Sequence, residues 1–411
     1  MGKDFELEYY PKLKNIQVEE IINIIAERKE NWDTPFFVDT KTFINLDKIK
    51  SVLDSLSIDN IQNIIILGTG GSIQTLLALK HLSKKKIYPI TSSRAVELNL
   101  CLESTTPKNS IVIPISRGGE TLDINSTIGT FIKKGYNFLG LSSKGTMNKI
   151  LKNIDCPILE VPDLPGRFAA SISNVAIVPA YLAGIDINSF LKGLEIGYNL
   201  FMKYDLNPST EFSAFLFNLY SKGYKIIFSM PYSINLEGSV GLFVQEISES
   251  SGKKERGFMG AYQSAPLCQH SVLEYLLGGT KGIVIPIIWT VESELLDLTL
   301  ESSIDYIRGQ TAHSIVGYQA DATFQALIEQ RVPSAKISLE TPNALNTGQL
   351  IAFIQSTVYY LCLLLDVNWA NNPKVNISKK ICNEALLNKI SSQERRDHRK
   401  NKAEEVFKSF F

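Results

Sequence analysis

Two glycine-rich turns hold the residue types that could do chemistry. The segment IIILGTGGSIQTLLALKHL sets Gly68, Gly70, Gly71 and Ser72 between an apolar run and a helix-length stretch. The segment SIVIPISRGGETLDINST repeats the arrangement with Ser116, Arg117, Gly118, Gly119 and Thr121. Glycines let a backbone approach an anion, and the amides that open a helix supply free donors and positive dipole. A phosphate monoester suits such a place, because its terminal oxygens accept many hydrogen bonds and the dipole opposes its charge. Two such turns on consecutive crossovers predict one phosphorylated small molecule lying across the C-terminal strand ends. A dinucleotide is the competing ligand. Its fingerprint wants a glycine where Ile73 stands and a carboxylate after the next strand, where Ser92, Ser93 and Arg94 follow instead. Arg94 keeps a 2′-phosphate open. A P-loop is excluded, since no Lys-Ser/Thr follows the glycines.

Strands must carry these turns. Short β-branched runs alternate with helix-length segments at NIIILG (63–68), KIYPIT (86–91), SIVIPIS (110–116), FLGLS (138–142) and ILEVP (158–162). Apolar runs without alternation predict strands buried on both faces, as in a parallel sheet covered by helices. The pattern restarts after residue 210 with KIIFSMP (225–231), GIVIPIIW (282–289) and AKISLE (335–340). Residues 1–50 read as a helical arm with an apolar stripe at Ile16, Ile21, Ile22, Ile24 and Ile25. Domains are therefore expected at 51–205 and 206–365, followed by a C-terminal segment, 366–411. Its charged end, Ser391 to Phe411, reads as a solvated helix.

Composition narrows the function classes. The chain has 411 residues, with 42 basic and 42 acidic side chains, so no positive surplus points to nucleic acid. Its five cysteines include no CxxC pair, and neither a zinc ribbon nor a redox motif is implied. The N-terminus is charged from Lys3, and the longest apolar run, near Val358 to Leu365, falls short of the ~20 residues of a membrane helix. A cytoplasmic protein without membrane contact is expected.

Five stretches in order resemble the glucose-6-phosphate isomerase family, whose members carry two sugar-isomerase (SIS) domains. GTGGS (68–72) is similar to the sugar loop and SRGGETLD (116–123) to the phosphate loop. LPGRFAASISNVAIVPAYLAGIDI (164–187) resembles the GGRFS segment, and QEISESSGKK (245–254) the Q-x-x-x-E-S-x-G-K segment. CQHSVLEYL (268–276), followed by VNWANNPKVNISKK (367–380), resembles the QHS loop and the lysine-bearing C-terminal segment. The fold implied is α/β, with two consecutive doubly wound parallel-sheet domains of SIS type and flanking N- and C-terminal helices. The length is that of the compact members.

The resemblance also implies roles. Glu249 would be the base that moves a proton between C2 and C1 through a cis-enediolate. His270 and Lys379 would open the sugar ring, and Arg167 would hold charge on the enediolate. Gly70, Gly71, Ser72 and Gln245 would line the sugar. Ser116, Arg117, Gly118, Gly119, Thr121 and Asn372 would bind the phosphate end. A homodimer is implied, with His270 reaching the neighbouring site, and no cofactor or metal. These residue types suit the chemistry. Imidazole titrates near working pH, a desolvated carboxylate is a better carbon base, and guanidinium keeps its charge. The apolar stretch SVGLFVQEI before Glu249 suggests such desolvation.

Several positions depart from the family. Ala265-Pro266-Leu267-Cys268 stands where Gly-Thr-Asn-Gly is usual, Asn372 where Gln is, Arg117 and Gly118 where Lys and Thr are, and Ser251 where Asn is. Mannose 6-phosphate is therefore an alternative substrate. A non-catalytic sugar-phosphate sensor and a nicotinamide oxidoreductase are the alternatives from other classes.

Overall fold

The computed structural model describes residues 5–56 and 60–410; the first four residues of the N-terminal arm and Phe411 of the tail lie outside them. The chain forms two compact units, 1–369 and 370–411. The larger unit holds both main sheets. Strands β1 (Phe5–Tyr10), β2 (Asn63–Leu67), β3 (Lys86–Ile90), β4 (Ser110–Pro114), β5 (Asn137–Phe138), β6 (Gly140–Leu141) and β7 (Ile158–Leu159) precede β8 (Ile226–Pro231), β9 (Met259–Tyr262), β10 (Val284–Val291) and β11 (Ser334–Leu339).

The first sheet runs β3-β2-β4-β5, all parallel, with Ile65 opposite both Tyr88 and Val112. A bridge between Ile115 and Leu141 leads on to the β6-β7 pair. Every residue of β2 and β4 is buried, which is why these runs lack alternation. The second sheet runs β1-β11-β10-β8-β9, parallel except for β1. The α/β class with parallel sheets is thus as expected.

The N-terminal arm is a correction. Residues 5–10 form a strand, antiparallel to β11, before the helix Asn15–Arg28 begins. FELEYY alternates apolar and polar residues as a half-exposed edge strand does. Phe5 packs on Phe201 and Phe353, and Tyr9 is buried. The helix buries Val18, Ile21, Ile22 and Ile25, while Ile16 points outward at 62% exposure.

The helix Ala344–Leu364 runs through the core and packs chiefly along Ile187–Phe201. It alone among the described residues is long and apolar enough to cross a membrane, and it is fully buried inside the protein. A second contact positions the site. The helix Glu237–Ser251, which follows β8 of the second sheet, lies along Gln74–Leu79, which follows β2 of the first. The smaller unit consists of the helices Val375–Leu387 and Ser392–Phe410, in keeping with the helical tail expected there.

Candidate active site

Because β2 and β4 are parallel neighbours, both glycine turns leave the C-terminal strand ends of the first sheet. Gly70 has φ +59°, and a Cβ there would come within 3.5 Å of Gln245 Nε2. Gly71 admits no side chain, since a Cβ would sit 2.4 Å from the backbone nitrogen of Arg167. Ser72 Oγ lies 3.5 Å from where a Cβ on Gly166 would be. The glycines of the first turn are therefore packed on the segment that carries Arg167 and on the helix that carries Gln245.

Arg167 is 4% exposed, and each of its guanidinium nitrogens is engaged. Nε donates to Ser250 Oγ at 2.8 Å, Nη2 to the carbonyl of Trp369 at 2.6 Å, and Nη1 to Glu249 Oε1 at 3.3 Å. Burial pulls its pKa down, and the carboxylates of Glu249 and then Glu246 oppose this. Gln245, one turn before Glu249, donates from Nε2 to Glu249 Oε2 at 3.0 Å. Each oxygen of the Glu249 carboxylate is thus held by a donor of known orientation. Gln245 Oε1 is buried with no hydrogen-bond donor.

The second turn is braced from below. Ser116 Oγ and Thr121 Oγ1 lie 3.2 Å apart, and Ser142 Oγ donates to the Ser116 carbonyl at 2.9 Å. Gly119 has φ +74°, and a Cβ there would meet the Lys144 carbonyl at 2.0 Å, so only glycine fits. Gly118 faces open space. Arg117 donates from Nη1 to the carbonyl of Leu164, three residues before Arg167, which ties the two loops together. Lys144 is a cation that sequence reasoning missed. It meets Asp163 at 2.6 Å, and Arg117 Nε approaches the same carboxylate at 3.9 Å.

His270 lies on a different element. It ends the short turn Leu267–His270, beyond edge strand β9, and is exposed. Among the described residues it makes no hydrogen bond to Glu249, Arg167 or Gln245. Asn372 and Lys379 fall in the smaller unit, Lys379 on its first helix. Two recesses of about 440 and 420 Å³ lie elsewhere, and neither is lined by Glu249, Arg167 or Gln245.

The deepest carboxyl is not Glu249. The side chain of Glu249 is 20% exposed, whereas Glu246 is 1% exposed as a residue. Glu246 Oε1 accepts from Gln355 Nε2 at 2.9 Å, and that amide also reaches the Arg167 carbonyl at 3.3 Å. Desolvation pushes Glu246 up from 4.5 to about 8. The native protein therefore keeps a proton that the unfolded chain releases between those values, and stability falls as pH rises through that window. Glu246→Gln is neutral at every pH, and its melting temperature should lose this decline between about pH 5 and 8. Parallel melting curves for the variant and the natural protein would place the proton elsewhere.

No family model matches the chain. The glucose-6-phosphate isomerase of Methanocaldococcus jannaschii is 27% identical over 353 residues, which cover 82% of this chain and 86% of that protein. A probable glucose-6-phosphate isomerase of Methanococcus maripaludis is 24% identical over 92% of this chain and 90% of its own length. Among solved structures, a glucose-6-phosphate isomerase from Chlamydia trachomatis superposes with TM-score 0.80 at 16% identity, covering 98% of this chain and 92% of that one. A hypothetical protein from Thermus thermophilus reaches 0.82 at 18% identity, covering 93% of this chain and all of that one. The paired parallel sheets place the chain in the α/β fold class of these structures. Within that class, the chain is similar over most of its length to proteins named glucose-6-phosphate isomerase.

Proposed function

We propose that the protein interconverts glucose 6-phosphate and fructose 6-phosphate by proton transfer, with Glu249 as the base. One observation carries this reading. The Glu249 carboxylate is held between Gln245 and a buried arginine, and the first glycine turn packs on the segment of that arginine. With the sugar ring open, Glu249 takes the proton from C2 of the aldose, and the electron pair moves toward C1–O to form the cis-enediolate. A proton passes from the C2 hydroxyl to the C1 oxygen, Glu249 returns its proton to C1, and the C2 carbonyl of the ketose forms. Arg167, 3.3 Å from Glu249, opposes the charge that passes from carboxylate to enediolate. The acceptor on Gln245 Oε1 suits a sugar hydroxyl. Ser116, Thr121 and the amides of the second turn hold phosphate, with Arg117 at the rim. Asn372 and Lys379 keep the roles that the family resemblance gives them.

Arg117 is 43% exposed, so it acts as a charge at the mouth of the site. Arg117→Ala should raise KM about tenfold, the size of one charge-assisted hydrogen bond, with kcat little changed. Initial rates over a range of fructose 6-phosphate check this, and an unchanged KM would move the phosphate elsewhere.

His270 serves the neighbouring copy in this reading. It follows edge strand β9 of the second sheet, in a segment whose Met259, Tyr262, Leu267 and Tyr275 are exposed. An apolar patch on a sheet edge is suited to an isologous contact. Mixing Glu249→Gln with His270→Ala subunits should then restore about a quarter of natural activity, since half the dimers are mixed and each has one intact site. Mixtures as inactive as their components would confine His270 to its own chain. Localisation in a reducing cytoplasm agrees with five free cysteines.

The reading is tested by incubating the protein with fructose 6-phosphate in EDTA and following products by NMR. Glucose 6-phosphate is expected. Mannose 6-phosphate would redefine the substrate, and no product would leave a binding protein.

A further inference from the structure

Two residues of the Glu249 segment, Ser250 and Lys253, have no part in the chemistry above, yet they complete a closed circuit around Arg167. Ser250 Oγ accepts from Arg167 Nε. Lys253 Nζ donates to the Ser250 carbonyl at 2.7 Å and to the Asn368 carbonyl at 2.5 Å. The next carbonyl along the chain, that of Trp369, accepts from Arg167 Nη2. Arg167, Ser250, Lys253, Asn368 and Trp369 therefore form a ring of hydrogen bonds and one peptide link, with Lys253 as its far member. Trp369 is itself seated, its ring packed on Phe37, Phe168 and Tyr359 and its Nε1 donating to the Asp33 carbonyl at 3.0 Å.

The choice of a cation at that place is informative. Neighbouring carbonyls at the end of the helix Ala344–Leu364 are also met by cations. Arg28 binds the Leu363 and Leu364 carbonyls, Arg256 that of Leu365, and Lys254 that of Asp366. Such groups suit the negative end of a helix. Lys254 and Arg256 are exposed, so their positions cost little. Lys253 is half-buried beside a second cation, and burial brings its ammonium down to about 8. Holding a lysine there opposes both desolvation and Arg167, and a carbonyl could be capped by a neutral donor.

We infer that Lys253 is a positioning residue, which fixes the Ser250 and Trp369 acceptors so that the Arg167 guanidinium keeps its aim at the Glu249 carboxylate and the reacting sugar oxygens. The inference rests on the isomerase reading for its catalytic consequence and on geometry alone for the ring.

Three variants test it. Lys253→Met opens the ring, and a misplacement of about 1 Å at Arg167 should lower kcat about 10- to 100-fold with KM within about threefold. Lys253→Arg retains charge and two donors and should recover part of that loss. Lys254→Met, which removes a neighbouring cation outside the ring, should leave kcat unchanged. Natural kcat in Lys253→Met, or an equal fall in Lys254→Met, would overturn the inference. A second readout needs no turnover. The Nε–H of Arg167, identified as the ¹⁵N resonance lost in Arg167→Lys, should exchange with solvent about tenfold faster in Lys253→Met, as one link of its enclosure is gone. Unchanged exchange would overturn the positioning role even in an active enzyme. If the natural protein turned over no fructose 6-phosphate, faster exchange would sustain the ring while the isomerase reading failed.

Discussion

Glu249→Gln should lose about 100- to 10,000-fold in kcat, the usual contribution of a general base, while KM changes little. The amide keeps the size of the carboxylate and still meets Gln245, but it cannot accept a carbon-bound proton. It also meets Arg167 without the attraction of opposite charge, and Arg167 remains anchored by Ser250 and the Trp369 carbonyl. Binding should therefore survive while chemistry does not. Steady-state rates with fructose 6-phosphate give both constants, and near-natural turnover would remove Glu249 from the proposed role.

Arg167→Lys is the second large effect. Lysine keeps the charge, yet one ammonium cannot reproduce a planar fork that engages Ser250, Glu249 and the Trp369 carbonyl in different directions. Loss of one positioned donor to a developing oxyanion is worth about 3–4 kcal/mol, so kcat should fall about 100- to 1,000-fold. Arg167→Ala goes further. It leaves the Glu249 carboxylate without its ion pair and two half-buried or buried acceptors without a donor, which typically costs about 3–5 kcal/mol in stability. The lysine variant should therefore fold and turn over slowly, while the alanine variant melts well below the natural protein. Equal kcat for Arg167→Lys and the natural protein would assign the enediolate charge to another group.

The fold was legible where burial is symmetrical. NIIIL and SIVIP are apolar throughout because helices cover both faces of the first sheet, and that leaves its mark on composition. β1 and β9 left weaker marks. FELEYY alternates along an edge, and the four residues of MGAY, one of them glycine, pair on one side only. The two glycine turns were legible as anion sites because their spacing between strand and helix has a physical meaning. Roles for Glu249, Arg167, His270 and Lys379 came from resemblance, and the structure pairs Glu249 with Arg167.

The apolar stretch before Glu249 also holds Glu246, the more deeply buried carboxyl. Helical periodicity carries the better signal. Phe243, Glu246, Ile247 and Ser250 share the buried face of the helix, with Gln245 and Glu249 at its edge. What no sequence pattern shows is the backbone. The carbonyls of Leu164, Asn368 and Trp369 orient Arg117, Lys253 and Arg167, and any residue type supplies a carbonyl.

Proton transfer through a carboxylate is most directly tested in deuterium oxide. A base that exchanges with solvent delivers deuterium to the sugar carbon, whereas an internal hydride shift carries the original hydrogen across. Fructose 6-phosphate incubated with the natural protein in D2O should yield glucose 6-phosphate with deuterium at C2 in at least part of the product, and Glu249→Gln should yield almost none of either. Product free of deuterium, or labelled product formed at the natural rate by Glu249→Gln, would contradict the account.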